Sequence, residues 1–367
     1  MKRVLGIFFL QLLVISLSSG CQNRRQDESD ISIGGRKSVL LDSDMVETFD
    51  DGVAFMILLG SDDLEVKGLT TVTGNVWAQE ALSYGIRIGE LCRGENLTYI
   101  AGAQYPMRAE RLDSFNVQVD ANPGKDADYR GALSYPAVND WRTFFGQKYG
   151  RQTEIQPSSQ DASEFIARQI LSAPGQLTIL AIGPCTNIAK ALVSHPEIAS
   201  EVKEIIYMGG AVWCDGNITP YAEMNYLYDP EAAAVCLRAP FPKQTMVSLD
   251  VCNTVMMYLQ RYMDIYNSIH NDDIKELFRN SYTYQQFEED PSAPQLVWDM
   301  ISAVIAIDSD IITAYKDTRI DVDDDPSSPT YGKSYETQNP SRQIVRVPLQ
   351  IDQDKFWNIV TSRLSKF

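Results

Sequence analysis

Four aspartates lie within ten consecutive positions where an apolar strand gives way to an apolar helix: Asp42, Asp44, Asp50 and Asp51. Two carboxylates about 4 Å apart repel each other by roughly 4 kcal/mol at the effective dielectric constant near a protein surface. No lysine or arginine occurs within residues 38–66 to neutralise them. A metal ion is therefore the predicted partner, and a set of oxygen ligands favours a hard cation, Ca²⁺ or Mg²⁺.

The elements that must position these carboxylates are short apolar runs alternating with amphipathic stretches. Strand-like SVLLDSD, LEVKGLTTV and LTILAIG are each followed by a helix-like stretch. This order predicts an α/β fold, a Rossmann-like open and mostly parallel sheet with helices on both faces. Ligands bind at the carboxyl ends of the strands in such sheets, where the aspartates fall. TVTGN at 71–75, AIGPCTN at 181–187 and MGG at 208–210 occupy equivalent positions.

Two further acidic features lie near the C-terminus. Asp299 interrupts an apolar helical run, and a buried carboxylate without a partner costs several kcal/mol, so Asp299 is predicted to have a partner or a metal. The run IDVDDDP at 320–326 superficially resembles a calcium-binding EF-hand loop, but it lacks the glycine and the terminal glutamate of that loop. A strand that runs into a solvated turn is expected there.

The charge of the chain limits its partners. The 367 residues carry a net charge of −17, and no long basic block interrupts the acidity, which argues against nucleic acid or anionic lipid. A small-molecule ligand is expected. Six cysteines occur without a zinc-type spacing, so free buried thiols are predicted, with one disulfide left open. Residues 105–160 show weak periodicity and are expected to form a long functional loop or lid.

The N-terminal residues read as a processing segment. Residues 1–20 combine two basic residues, an apolar run and small residues directly before Cys21, which predicts a lipoprotein-type signal peptide with lipidation at Cys21. A plain secretory signal and an uncleaved anchor are the alternatives. Residues 21–37 are predicted to be a flexible tether, and residues 38–367 a single domain. The expected location is periplasmic or at the cell surface, with contact to a membrane only through the lipid.

Five linked segments together resemble the nucleoside hydrolase family, also called inosine-uridine preferring nucleoside hydrolases. They are DSDMVETFDD, GLTTVTGNV, LAIGPCTNIAKAL, IIYMGGAVWCDGNITPYAEMNYLYDPEAA and LVWDMISAVIAID. The resemblance runs from about residue 38 to the C-terminus and depends on the order and spacing of all five. It implies a single Rossmann-like domain, a homodimer or homotetramer, and a bound Ca²⁺.

The resemblance also assigns roles around that ion. It implies that calcium is held by Asp44, Asp51, Asp299 and the backbone carbonyl of Ile182, and that Asp44 is the general base that activates water. Asp42 is expected to orient its neighbours.

Further residues are implied to contact the substrate. Asp50 and Asn225 would bind ribose hydroxyls, Asn217 and Glu223 would reach the 5′ end of the sugar, and Asn75 would lie near the water and the metal. Carboxylates and amides are the groups with which a protein reads a sugar with several hydroxyls.

The chain departs from the family pattern in two places. Six residue steps separate Asp44 from Asp50, where most members have four. Trp298 stands directly before Asp299, where many nonspecific members carry a histidine assigned to protonation of the leaving base. The only two histidines, His195 and His270, lie outside the recognised motifs and are expected to be structural or exposed.

A tryptophan at position 298 resembles the purine-specific branch, which activates the base by aromatic stacking. Trp298 is therefore a candidate catalytic residue, with core packing as the alternative. Trp77, Tyr105 and Trp213 are candidates for the second stacking aromatic.

These observations predict a Ca²⁺-dependent enzyme that hydrolyses the N-glycosidic bond of ribonucleosides, with purine nucleosides favoured. Such a reaction passes through an oxocarbenium-like state and needs an activated water, a positioned sugar and a neutralised leaving base. The alternatives are a non-catalytic lipoprotein of the same fold that binds a nucleoside or sugar, and a hydrolase of another N-ribosyl compound.

Overall fold

A central sheet dominates the computed structural model, which describes residues 35–48 and 50–367. The strands of this part of the chain are β1 Lys37–Ser43, β2 Leu64–Thr71, β3 Thr98–Ala101, β4 Leu177–Ala181, β5 Glu204–Met208, β6 Gln244–Val247, β7 Met256–Met257, β8 Gln295–Leu296, β9 Ile312–Val322, β10 Ser334–Glu336 and β11 Ile344–Ile351. All except β7 and β8, which pair with each other, belong to the central sheet.

Helices connect most of these strands. In the described residues they are α1 Asp50–Leu59, α2 Ala78–Leu91, α3 Arg111–Ala121, α4 Trp141–Tyr149, α5 Ala162–Ser172, α6 Thr186–Ser194, α7 Ile198–Glu201, α8 Met224–Tyr228, α9 Pro230–Arg238, α10 Leu249–Cys252, α11 Leu259–Ser268, α12 Asp272–Arg279, α13 Tyr282–Glu289, α14 Asp299–Ile307 and α15 Gln353–Leu364. Short 3₁₀ helices occur at Gly131–Ser134 and Ser309–Ile311.

The strand order of the central sheet is β10-β9-β11-β6-β5-β4-β1-β2-β3. Every pairing from β11 to β3 is parallel, whereas β9 and β10 form antiparallel pairs at one edge. This confirms the predicted open, mostly parallel sheet. The chain order reverses between β1 and β4, so a crevice opens at the carboxyl ends of these two neighbours.

Both faces of the sheet are buried, as the alternation of side chains along β1 shows. Val39 and Leu41 pack into the apolar cluster that includes α1, α14 and α15, while Leu40 packs into the opposite cluster with α5, α6 and α9. All three side chains are inaccessible to solvent. Because successive residues of a strand point to opposite faces, this pattern confirms helices on both sides.

The segment 105–160 differs from the predicted long loop, because it contains α3, α4 and a 3₁₀ turn. Helix α4 begins where the Asp140 carboxylate accepts the N–H groups of Arg142 and Thr143, and it ends at Gly150, whose φ of 65° suits glycine. Helix α4 buries Phe145 alone, which explains the weak periodicity of its sequence. The capping residues at its two ends predict this helix better than its hydrophobic periodicity does.

The predictions for the signal peptide, Cys21 and most of the tether lie outside the described residues. Within the described part, Arg36–Phe367 form one compact unit. Cys92, Cys185, Cys214, Cys236 and Cys252 are all free thiols there. Across residues 35–48 and 50–367, no helix combines the length and the apolar character that crossing a membrane requires.

Candidate active site

Asp42 lies at the end of β1 and joins three neighbouring segments. It pairs in register with Thr70 of β2, and its Oδ1 accepts hydrogen bonds from the hydroxyl of Thr70 and from Nδ2 of Asn187. The Asn187 amide also bonds to the backbone of Thr71 and Ala103. Burial raises the pKa of Asp42 to about 7. These contacts fix the Asp42 carboxylate between β1, β2 and α6.

Asp44, Asp51 and Asp299 form a buried acidic group at the crevice. Asp44 and Asp51 are completely inaccessible to solvent, and Asp299 is 5% exposed. Burial raises the pKa of all three carboxyls, and the Asp51 charge raises the pKa of Asp44 and Asp299 further. The negative charge of Asp51 therefore disfavours ionisation of Asp44 and Asp299, and protons or a cation would relieve that repulsion.

The oxygens of this group that lack a hydrogen-bond donor indicate whether it could bind a metal ion. Among the described residues, Asp44 Oδ1 and Asp299 Oδ1 are buried without a hydrogen-bond donor. The side chains of residues 35–48 and 50–367 do not stand in a preassembled cluster of three or more metal ligands. The donor set nonetheless fits a hard cation, because orphaned, mutually repelling carboxylate oxygens lack the positive charge that such an ion supplies.

Asn75, after β2, connects the acidic group to the open crevice. Its backbone N–H donates to Asp44 Oδ2 at 2.6 Å, and its Nδ2 donates to Asp51 Oδ2 at 3.1 Å. Its Oδ1 accepts the hydroxyl of Tyr129 at 2.9 Å. The preceding Gly74 packs so closely that a Cβ there would lie 2.2 Å from Asp44 Oδ2. This turn therefore positions the carboxylate of Asp44.

The Asp50 carboxylate, which was expected to bind a ribose hydroxyl, contacts the start of α14. Its carboxylate accepts the backbone N–H groups of Trp298, Asp299 and Met300 at the start of α14. Trp298 is the N-cap of α14 and offers no side-chain cap, so Asp50 satisfies N–H groups that a helix leaves open. Burial raises the pKa of Asp50 to about 7. As it stands, Asp50 positions Trp298 and Asp299.

The carbonyl of Ile182 follows β4 on the other side of the crevice. It accepts a hydrogen bond from Nδ2 of Asn225 at 3.3 Å, and the same amide group donates to the carbonyl of Met208 at 3.2 Å. The N–H of Ile182 continues the sheet by donating to the carbonyl of Asp42. The structure thus brings together the predicted backbone ligand and a predicted ribose-binding amide.

Asn217 and Glu223 lie next to each other at one end of the crevice. Asn217 Oδ1 accepts the N–H groups of Ile218 and Met224. Glu223 is the N-cap of α8, and its carboxylate accepts the N–H groups of Gly210, Asn225 and Tyr226. Burial raises the pKa of Glu223. Glu223 therefore orients Asn225 as well as lying on the cavity wall.

A cavity of about 660 Å³ opens over these groups, within the range of small-molecule sites. The predicted site residues on its wall are Asn75, Ile182, Asn217, Glu223, Asn225, Trp298 and Asp299. Asp44 and Asp51 lie behind Asn75, which contacts both.

The three aromatic residues considered for the second side of the stack lie away from the cavity. Trp77 is buried and packs edge-on against Tyr105, while Trp213 donates its indole N–H to Glu336. None of these three lies on the cavity wall, where the described aromatic side chains besides Trp298 are Tyr84, Tyr129 and Tyr282.

Sequence reasoning missed several residues of the cavity. Glu47, Tyr129 and Lys148 all lie on its wall. Glu47 belongs to the lengthened aspartate loop, whose extra residues were the available signal. Tyr129 and Lys148 come from the segment 105–160, where no motif marks them. Burial and the charges of Asp44 and Asp51 raise the pKa of the Tyr129 phenol, which keeps it a hydrogen-bond donor to Asn75.

Other polar candidates lie away from the cavity, as expected. His195 pairs with Glu164 and Glu197, and His270 is exposed. The run 320–326 is the end of β9 followed by a turn. Asp321, within β9, pairs with Arg238 and Arg342. The predicted strand and turn are confirmed there.

Comparison with known structures places the fold. A plant nucleoside hydrolase, the PpNRh1 enzyme, superposes with a TM-score of 0.73 at 23% identity over 90% of this chain and 99% of that chain. A purine-preferring ribonucleoside hydrolase from Gardnerella vaginalis gives 0.70 at 22% identity over 90% and 98%. The class defined by fold is therefore the α/β fold of the nucleoside hydrolases.

Sequence comparison identifies the family. The profile of the inosine-uridine preferring nucleoside hydrolases matches residues 39–358. The pyrimidine-specific ribonucleoside hydrolase RihA of Salmonella paratyphi C is 30% identical over 243 residues, 65% of this chain and 70% of that protein. The chain belongs to the inosine-uridine preferring nucleoside hydrolase family and is an enzyme of the glycosidase type.

The close packing of Gly74 makes a testable prediction. In Gly74→Ala the new methyl group would meet Asp44 Oδ2 at 2.2 Å and Pro184 at 2.7 Å, so the free energy of unfolding should fall by about 1–3 kcal/mol. Gly35→Ala is the matched control, because no atom lies within 4 Å of a Cβ at that position. Chemical denaturation of both variants measures the difference. Equal stability of the two would contradict the close contact.

Proposed function

We propose that this enzyme is an exported, Ca²⁺-dependent nucleoside hydrolase that releases the nucleobase from ribonucleosides and prefers purines. The observation that carries the proposal is the buried group of Asp44, Asp51 and Asp299, with two unsatisfied oxygens, beside a cavity walled by amides. The named relatives act on ribonucleosides, but their names divide between pyrimidine-specific and purine-preferring.

The ligands proposed for calcium are Asp44, Asp51, Asp299 and the carbonyl of Ile182. They are oxygen donors from the carboxyl ends of β1 and β4 and from the first turns of α1 and α14. A bound calcium ion would supply Lewis acidity toward water and would attract vicinal hydroxyls. The same ion would remove the repulsion that raises the pKa of these carboxyls.

Asp44 is the proposed general base. Its Oδ2 is held by the N–H of Asn75, while its Oδ1 has no donor and is available to accept a proton from the attacking water. Asn75 keeps the carboxylate in place from behind, and Tyr129 holds the amide of Asn75 through its Oδ1. The turn after β2 therefore sets the orientation of the Asp44 carboxylate as the general base.

Ribose is proposed to bind between the amides of Asn75, Asn217 and Asn225, with Glu223 at the 5′ end of the sugar. Glu223 holds Asn225 through a backbone hydrogen bond of 2.8 Å, so the two act together. Asp50 is proposed to hold the start of α14, and its carboxylate keeps acceptor capacity for a ribose hydroxyl beyond the three N–H groups.

The purine preference is supported by Trp298. Its half-buried indole lies on the cavity wall next to Asp299, and the Asp50 carboxylate fixes its backbone. An indole stacks over the larger surface of a purine more extensively than over a pyrimidine. We assign Trp298 to stacking on the base, with Tyr84, Tyr129 and Tyr282 as the candidates for the opposite side.

Export and assembly belong to the same proposal. Residues 1–20 would be the signal peptide, Cys21 the lipidation site, residues 21–37 the tether and residues 38–367 the catalytic domain. The protein would then work outside the cytoplasm as a lipid-anchored homodimer or homotetramer. The acidity of the chain fits a neutral substrate and argues against nucleic acid as a partner.

Release of base from a panel of nucleosides tests the function. The enzyme should cleave inosine, adenosine and guanosine faster than uridine and cytidine in millimolar Ca²⁺, and excess chelator should abolish turnover. Binding of a nucleoside without release of base would identify the non-catalytic alternative. Cleavage confined to another N-ribosyl compound would identify the second alternative.

Replacement of Asp44 tests the acidic group through stability as well as activity. Its raised pKa means that the ionised form costs folding free energy at neutral pH, so Asp44→Asn should melt a few degrees higher than the parent in chelator. Addition of Ca²⁺ should stabilise the parent more than the variant, and turnover should be lost. Asp128→Asn is the control, because Asp128 is exposed. A lower melting temperature for Asp44→Asn in chelator would contradict the repulsion.

Replacement of Trp298 tests stacking. Trp298→Ala should slow purine nucleosides by at least about tenfold, because a base–aromatic stack contributes roughly 1–3 kcal/mol. 4-Nitrophenyl riboside, whose leaving group needs no stacking activation, should be slowed much less. Steady-state kinetics on both substrates provide the comparison. An equal loss on both would assign Trp298 to packing of the site.

A further inference from the structure

Departure of a nucleobase requires a proton, and the described cavity wall holds no histidine to supply it. Most of the carboxyl groups on this wall already have another role or position. Asp299 belongs to the acidic group, and Glu223 accepts three backbone N–H groups. Asp126 lies at the sugar end, where its N–H donates to the carbonyl of Asn217. Glu47 is the remaining carboxyl on the wall.

The aspartate loop brings Glu47 to the wall of the cavity. The loop folds back over the start of α1, where the N–H of Gly52 donates to the carbonyl of Val46 and a Cβ on Gly52 would meet the carbonyl of Glu47. Three residues after Glu47, Asp50 accepts the N–H of Trp298. Glu47 and Trp298 are thus joined through Asp50, and both line the cavity.

The surroundings of Glu47 leave one carboxyl oxygen available. Oε1 accepts the hydroxyl of Tyr149 at 2.6 Å, whereas no described residue donates a hydrogen bond to Oε2. The facing charged and titratable groups are Lys148 and Tyr149 from α4, and Tyr84 and Arg87 from α2. Burial raises the pKa of Glu47 against the opposing effects of Tyr149, Lys148 and Arg87. A half-buried acid of this kind keeps its proton to higher pH and can regain it from solvent.

We propose that Glu47 donates a proton to the departing nucleobase, in the role for which other members of the family use a histidine. This inference rests on the proposed function. The bond between C1′ and the base nitrogen breaks, and its electron pair stays on the base, which receives the proton from Glu47. Water adds to C1′ and gives a proton to Asp44. Asp44 then releases its proton to solvent and Glu47 takes one up, so both residues return to their starting state and the net reaction consumes one water.

Glu47→Gln is the central test, because glutamine keeps an acceptor for Tyr149 but carries no acidic proton. For inosine, kcat/KM should fall by about 100-fold or more, and the alkaline limb of the pH profile should disappear. 4-Nitrophenyl riboside, which releases a stable phenolate, should be cleaved within about threefold of the parent rate. Glu47→Asp should recover part of the inosine activity. Glu154→Gln is the matched control, because Glu154 is exposed and lies outside this cavity.

Tyr149→Phe tests the inference by raising the pKa of Glu47 instead of removing its acidic proton. Loss of its hydroxyl removes a hydrogen bond that stabilises the Glu47 carboxylate, so the pKa of Glu47 should rise further and the alkaline limb should move to higher pH. Lys148→Met should move the limb the same way. If Lys148→Met abolishes the limb while Glu47→Gln retains it, the donor is Lys148 and the inference is overturned.

The outcomes separate this inference from the proposed function. Turnover by the parent enzyme with an unchanged Glu47→Gln profile would overturn the inference alone. An equal loss on inosine and 4-nitrophenyl riboside would assign Glu47 to the structure of the loop and would also overturn it. Absence of nucleoside turnover by the parent in millimolar Ca²⁺ would overturn both.

Discussion

Repulsion among buried carboxylates is the constraint on which the site depends. Asp44, Asp51 and Asp299 come from three separate elements; burial raises the pKa of all three carboxyls, and the charge of Asp51 raises the pKa of the other two further. Buried carboxylates with raised pKa values cluster at functional sites, because burial of unpaired negative charge is costly elsewhere. The surrounding N–H groups and amides limit the cost in part, and a cation would remove the rest. The sheet, the turns and the helix termini can all be understood as supports for this group.

Those supports are mostly backbone hydrogen bonds to side chains from distant positions. Asn75 binds Asp44 and Asp51, Asp50 caps α14, and Glu223 caps α8. Each of these bonds joins a functional side chain to the end of a strand or helix, where backbone groups are left without partners. The residues that hold the site are therefore as polar as those that would bind substrate, and sequence alone does not separate the two roles. Asp50 shows this directly, since it holds Trp298 and Asp299 in place.

The loop between Asp44 and Asp50 adds a further carboxyl group to the cavity wall. It places Glu47 at the cavity beside two groups from α4, Lys148 and Tyr149. A carboxyl group on a short inserted loop can be gained without altering the sheet, because loops tolerate added residues better than packed elements do.

The sequence by itself determined the sheet, its two buried faces, the aspartates within residues 42–51 and the family, because local periodicity and the order of short motifs record them. It also indicated Asn75, Asn217, Glu223 and Asn225, which follow strands whose ends meet in any such sheet. Tertiary structure alone decided the tasks of the side chains. The donors to Asp50 come from residues about 250 positions away, and Tyr149 reaches Glu47 across 102 positions. Segment 105–160 likewise contributes Tyr129 and Lys148 only through packing. Contacts of this kind depend on how helices dock, and no local pattern records that.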